Sequence, residues 1–80
     1  MMTRRLQSLI AEMLDTPEDQ IHADTRRDQI ESWDSLNHLQ LVTAIEREFG
    51  VKLTMDEIAS VNTAGDLDRL VAARGTKATQ

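Results

Sequence analysis

Ser35 and His38 stand three residues apart at the start of a stretch with helical periodicity. That spacing brings a hydroxyl and an imidazole to one helix face and admits a nucleophile–base pair. Hydrolytic or transfer chemistry would also need a third group to orient His38, an oxyanion arrangement and walls for a pocket, and the chain offers none of these plainly. His38 therefore reads as a solvated helix residue. Ser35 has another use. The tetrapeptide Trp33-Asp34-Ser35-Leu36 sits where a polar, weakly periodic stretch (15–32) gives way to an amphipathic one (36–49). Ser35 then falls in the first turn of a predicted helix, beside free backbone N–H groups and the positive end of the macrodipole. A serine so placed suits a phosphate ester, because the orphan donors and the dipole both favour an anion. Taken alone, Asp34 or Ser35 reads first as a simple helix cap.

Other chemistry finds less support. His22 and His38 are far apart in sequence, and the acidic pairs Glu18-Asp19 and Asp56-Glu57 lack the alternating spacing of a calcium loop, so no metal site is expected. Those pairs read as first-turn acids that complement helix dipoles. Trp33 is the one tryptophan, and Phe49 the one other aromatic residue. Trp33 reads as packing the end of a loop against the helices, or else as flanking a group on Ser35. Phe49 reads as core.

Four helices must position these residues. Leu6, Leu9, Ile10, Met13 and Leu14 recur at helical spacing and predict a first helix over 3–14. Thr16 is expected to cap a turn that opens with Pro17 and brings Ile21 onto the core. From His22 to Ser32 the chain reads as a long loop anchored by Ile30, and such loops are often functional. The second helix, 35–49, carries Leu39, Val42, Ile45 and Phe49 along one side with Leu41 in support, and Gly50 stops it. Val51-Lys52-Leu53 is short and extended. Thr54 and Glu57 form a capping box that opens a short third helix through Ile58 and Ala59. Thr63 and Asp66 repeat the device more weakly before a last helix facing inward through Leu67, Leu70 and Val71. The expected organisation is one domain over 1–75 and a flexible tail over 76–80. No strand pattern or internal repeat is evident, which gives an all-α protein with three main helices, one short third helix and a long loop between the first two.

Composition narrows the function. Eighty residues support one small core, and apolar residues in periodic blocks at 40% of the chain argue against disorder. The net charge of −5 disfavours DNA or RNA, which call for clustered Lys and Arg. An acidic domain is better matched to proteins that present basic patches. The chain has no cysteine and no apolar run long enough for a membrane span, so a cytoplasmic protein without membrane insertion is expected.

Asp34-Ser35-Leu36, followed by Leu39-Gln40-Leu41-Val42-Thr43-Ala44-Ile45-Glu46-Arg47-Glu48-Phe49-Gly50-Val51, resembles the acyl carrier proteins. The similarity runs on through Leu53, the short helix at Ile58 and the last helix, and covers nearly the whole chain. The resemblance implies an antiparallel four-helix bundle without catalytic activity of its own, acting as a monomer. It implies that a phosphopantetheinyl transferase moves 4′-phosphopantetheine from coenzyme A onto Ser35, whose thiol then holds acyl groups as thioesters. The absence of cysteine fits a working sulfur that is imported. By the same resemblance Asp34 helps the transferase and its metal approach or only caps the helix, and Leu36 is an apolar contact for partners. Gln40, Thr43, Glu46 and Arg47 would form the outward recognition face, with Asp56 and Glu57 adding negative charge that steers basic partners. Those partners would include an acyl-loading enzyme (an acyltransferase or adenylating ligase) and a ketosynthase or other acyl-processing enzyme.

The chain departs from the fatty-acid carriers of this family at Gln40, where an acid is usual, and at Thr43, where methionine is usual. Ile30-Glu31-Ser32-Trp33 replaces a Gly-containing Asp-Leu-Gly-like stretch, and Arg47 dilutes the acidic face. These differences favour a discrete carrier of a specialised pathway (polyketide, hybrid or modified-lipid) over a housekeeping fatty-acid carrier. Asp34 points away from peptidyl carriers, which more often place His or Asn-like residues there. An aminoacyl or peptidyl carrier of a nonribosomal pathway, a housekeeping fatty-acid carrier and a helical interaction module without a prosthetic group remain the alternatives. Ala44 and Ala59 are small enough either to open a cleft for cargo or to allow tight helix packing.

Overall fold

In the computed structural model residues 2–78 are described, with side chains through Arg74. Among them are four helices, α1 (Arg4–Leu14), α2 (Ser35–Phe49), α3 (Met55–Ser60) and α4 (Ala64–Ala78), and two 3-10 turns at Glu18–Gln20 and Arg27–Gln29. The arrangement is the expected all-α bundle, in which α1 packs on both α2 and α4. No helix among the described residues is long and apolar enough to cross a membrane. The tail expected from residue 76 overlaps α4 as far as Ala78, and its remainder, 79 and 80, lies outside the described residues.

Local chemistry explains where each helix stops and starts. Past the end of α1, Asp15 adopts a left-handed conformation (φ 53°). The Thr16 N–H then reaches back to the Ala11 carbonyl at 2.9 Å, a closure that Asp tolerates better than most residues. Gly50 ends α2 in the same conformation at φ 67°. The Thr54–Glu57 capping box is present on α3. On α4, Thr63 and Asp66 exchange the equivalent pair of bonds, both at 3.1 Å. Thr16 does not cap the first turn as expected. Pro17 precedes that turn, and the Thr16 hydroxyl donates instead to the Leu14 carbonyl.

Leu6, Ile10, Leu14, Leu41, Ile45 and Leu67 are fully buried and join the helices into one core. Two expectations for α2 are corrected. Leu39 is 49% exposed, and Phe49 is only half-buried with the Arg5 guanidinium 5.3 Å from its ring centroid. The inward row runs through His38, Leu41, Val42 and Ile45, turned by about one residue from the row through Leu39.

The long connection is tied down over its length. Ile30 is half-buried, and the principal anchor is Trp33, only 4% exposed. Upstream, the connection supplies backbone acceptors to the start of α4. The Ala64 N–H bonds the Thr25 carbonyl at 2.9 Å, and the Gly65 N–H bonds the Ala23 carbonyl at 2.8 Å. Two of the orphan donors of α4 are thereby satisfied by chain some forty residues earlier. Arg26 and Thr63 form an antiparallel bridge beside them.

Candidate functional site

Ser35 is the first residue of α2, and it is exposed. The residue before it caps the helix. Asp34 is extended (φ −93°, ψ −175°), and its carboxylate accepts the Asn37 N–H at 2.8 Å. Since Asp34 holds the cap, Ser35 does not have to. Its hydroxyl makes no hydrogen bond among the described residues. The Ser35 and Leu36 amides are the two first-turn donors that the cap leaves open.

The turn before Ser35 is held by its own backbone and by α1. The Trp33 N–H bonds the Ile30 carbonyl at 3.0 Å, Asn37 Nδ2 donates to the Ser32 carbonyl at 2.7 Å, and the Ser32 hydroxyl donates to the Leu14 carbonyl at 2.6 Å. An exposed hydroxyl on a fixed turn can be presented to a second protein. Two open N–H groups and the positive end of a 15-residue helix lie beside it, which fits a group that brings a phosphodiester.

His38 differs most from expectation. It is 4% exposed rather than solvated, and neither ring nitrogen serves Ser35. Nδ1 accepts from Trp33 Nε1 at 2.9 Å, and Nε2 lies 2.9 Å from the Ile58 carbonyl. Burial lowers the imidazole pKa from its ordinary 6.5, the Ile58 carbonyl opposes that shift, and the charge of Arg27 reinforces it. The nucleophile–base pair therefore does not form. The sequence did hold a signal: His38 lies three, four and seven residues before Leu41, Val42 and Ile45, in the register of the buried row. Trp33 packs with His38 at a centroid distance of 6.1 Å, buried rather than flanking the Ser35 hydroxyl.

The outward face of α2 is less acidic than its composition suggests. Leu36, at 65% exposure, and Gln40, Thr43 and Arg47 face solvent. Glu46 does not: it is half-buried, and its carboxylate accepts the Leu53 N–H at 2.9 Å. Glu48 pairs with Arg5 at 3.1 Å. On α3, Asp56 is exposed, whereas Glu57 is bound by Arg74 and the Thr54 N–H, and its pKa is lowered by those contacts. Met55 beside it is 72% exposed.

Met13 of α1 and Leu39, Gln40, Thr43, Ala44 and Arg47 of α2 line an open groove of about 500 Å³. Ala44 thus borders a groove, while Ala59 is exposed on α3. No group of three or more potential metal ligands occurs among the described residues.

A family described as the phosphopantetheine attachment site matches this chain over residues 4–71. "Acyl carrier protein 3" of Ralstonia nicotianae is 37% identical over 79 residues, covering 91% of this chain and 88% of that protein. "Acyl carrier protein" of Saccharopolyspora erythraea is 34% identical over 68 residues, covering 82% and 70%. Among solved structures, the solution structure of holo acyl carrier protein from Geobacter metallireducens superimposes with a TM-score of 0.84 at 24% identity, covering 94% of this chain and 86% of that one. At that identity the last likeness concerns the fold.

Proposed function

The chain belongs to the phosphopantetheine-attachment family of acyl carrier proteins, non-catalytic carriers that work with a phosphopantetheinyl transferase and acyl-processing enzymes, and on that premise we propose that Ser35 is its attachment residue. One observation carries the assignment: Ser35 offers a free, exposed hydroxyl at the first position of α2, beside two open N–H groups. The covalent 4′-phosphopantetheine supplies a thiol on which acyl groups ride as thioesters. This chain's residues do the rest. Asp34 caps α2 without engaging Ser35, and Ser32, Trp33 and Asn37 hold the turn that presents it.

Leu36, Gln40, Thr43, Arg47 and Asp56 form the surface that partners meet in this reading. Glu46 and Glu57 have carboxylates already engaged, so they contribute less charge than their position in sequence implies. With Gln40 and Thr43 exposed where fatty-acid carriers usually place acid and methionine, and with Arg47 beside them, the reading favours a discrete carrier of a specialised polyketide, hybrid or modified-lipid pathway.

Intact mass spectrometry after incubation with coenzyme A and a promiscuous phosphopantetheinyl transferase tests the assignment. The wild-type chain is expected to gain one phosphopantetheine and Ser35→Ala none. An unmodified wild type, or a modified Ser35→Ala, overturns it.

A further inference from the structure

One buried ring joins three separate elements. Trp33, at the end of the long connection, donates its indole N–H to His38 Nδ1 on α2. His38 Nε2 faces the Ile58 carbonyl on α3 at 2.9 Å. The indole offers only a donor and the carbonyl only an acceptor, so the ring is neutral with its proton on Nε2. Ser35 lies between the two tied residues, two after Trp33 and three before His38.

We propose that His38 is a proton-operated positioning residue for Ser35: its neutral ring links the Ser35 turn to α3, and protonation at Nδ1 breaks the Trp33 contact and loosens the turn from α3, leaving the Ser32 and Asn37 hydrogen bonds to hold it. A proton on Nδ1 would face the indole N–H, donor against donor, in a site where water is scarce. The surroundings offer the cation little. Arg27, from the second 3-10 turn, presents a like charge to the ring. On α3 the Glu57 carboxylate is held by Arg74 and the Thr54 N–H, leaving the Ile58 carbonyl as that helix's contact. On α2 itself the Asp34 carboxylate is occupied by the Asn37 N–H.

Only the meaning of the turn rests on Ser35 being the attachment residue. The geometry stands without it, and the two ideas can fail separately, because the test uses the unmodified chain. Nuclear magnetic resonance would follow the His38 ring nitrogens, the Trp33 indole N–H and the Ser35, Leu36 and Ile58 amides from about pH 8 to about pH 5, the range in which histidine changes charge. The expected result is one shared midpoint below 6.5, with the indole resonance moving away from its hydrogen-bonded position. His38→Gln should abolish the Trp33 and Ser35 shifts, and His22→Gln should leave them intact. If His38→Gln does not fold, Trp33→Phe serves: with the opposing donor gone, the His38 midpoint should move up toward 6.5. A ring that titrates while the indole and the Ser35 amide stay still overturns the proposal. So does a ring that stays neutral until the chain unfolds, or a midpoint indifferent to Trp33→Phe.

Discussion

Gly65 approaches the Ala23 carbonyl so closely that a Cβ on it would lie 2.6 Å from the oxygen. The contact accompanies a 2.8 Å hydrogen bond from the Gly65 N–H to the same oxygen. A connection that passes this close to α4 can serve as part of that helix's cap, and its course toward Trp33 and Ser35 is set from there.

Gly65→Ala should therefore destabilise the fold although alanine is the better helix former. The propensity gain is about 1 kcal/mol, whereas forcing the backbone apart and weakening the hydrogen bond should cost about 2–4 kcal/mol, a net loss of roughly 1–3 kcal/mol. Gly50→Ala meets open space and pays only for its φ of 67°, about 1 kcal/mol. Urea unfolding of both variants checks the order, and a Gly65→Ala chain as stable as wild type would contradict it.

Two leucines on α2 separate surface from core. Leu41 is fully buried and Leu39 is half-exposed. Leu41→Ala is expected to lose about 2–5 kcal/mol and Leu39→Ala well under half of that. Chemical denaturation reads both, and equal losses would show that the inward row of α2 is misassigned.

Asp34→Ala removes the cap of α2 and should cost about 1 kcal/mol, whereas Asp34→Asn keeps an acceptor and should cost a few tenths. At saturating transferase both should still take phosphopantetheine on Ser35, because that hydroxyl takes no part in the cap. Thermal melts combined with intact mass decide the matter.

Stability should fall on mild acidification. The unfolded chain takes a proton on His38 near 6.5, while the folded chain resists until its lower folded-state pKa is reached. Between those two values the unfolded state binds more protons, so stability rises with pH and is lost as pH drops. Glu57, with its pKa lowered from 4.5 by Arg74 first and the Thr54 backbone second, adds a further loss only below that value. His38→Gln should flatten the upper part of the profile and leave the lower part. A slope unchanged by His38→Gln in urea midpoints against pH would assign the loss to other groups.

Most of the architecture can be read along the chain because helices and caps are local devices. Leu6, Ile10 and Leu14 repeat at helical spacing, Gly50 stops α2, and Thr54 and Glu57 stand three apart as a capping box demands. What escaped depends on distant partners. Leu39 and Leu41 belong to two interleaved rows of α2, and hydrophobicity cannot choose between them when a histidine completes the buried one. His38 is acceptable inside only because Trp33 and Ile58, the latter twenty residues away, satisfy both nitrogens. Glu57 looks free until Arg74, seventeen residues on, is folded against it. The exposed position of Ser35 at the start of α2 was legible for the opposite reason: it and its capping neighbour are adjacent in sequence.

Asp34, not Ser35, closes the start of α2. Under the proposed attachment at Ser35, esterification subtracts no capping bond from the helix, and the bare and the modified chain can share one scaffold of nearly equal thermodynamic standing. In that reading the visiting transferase has no helix end to melt when it takes the hydroxyl, and the platform beneath the arm needs no rebuilding afterwards.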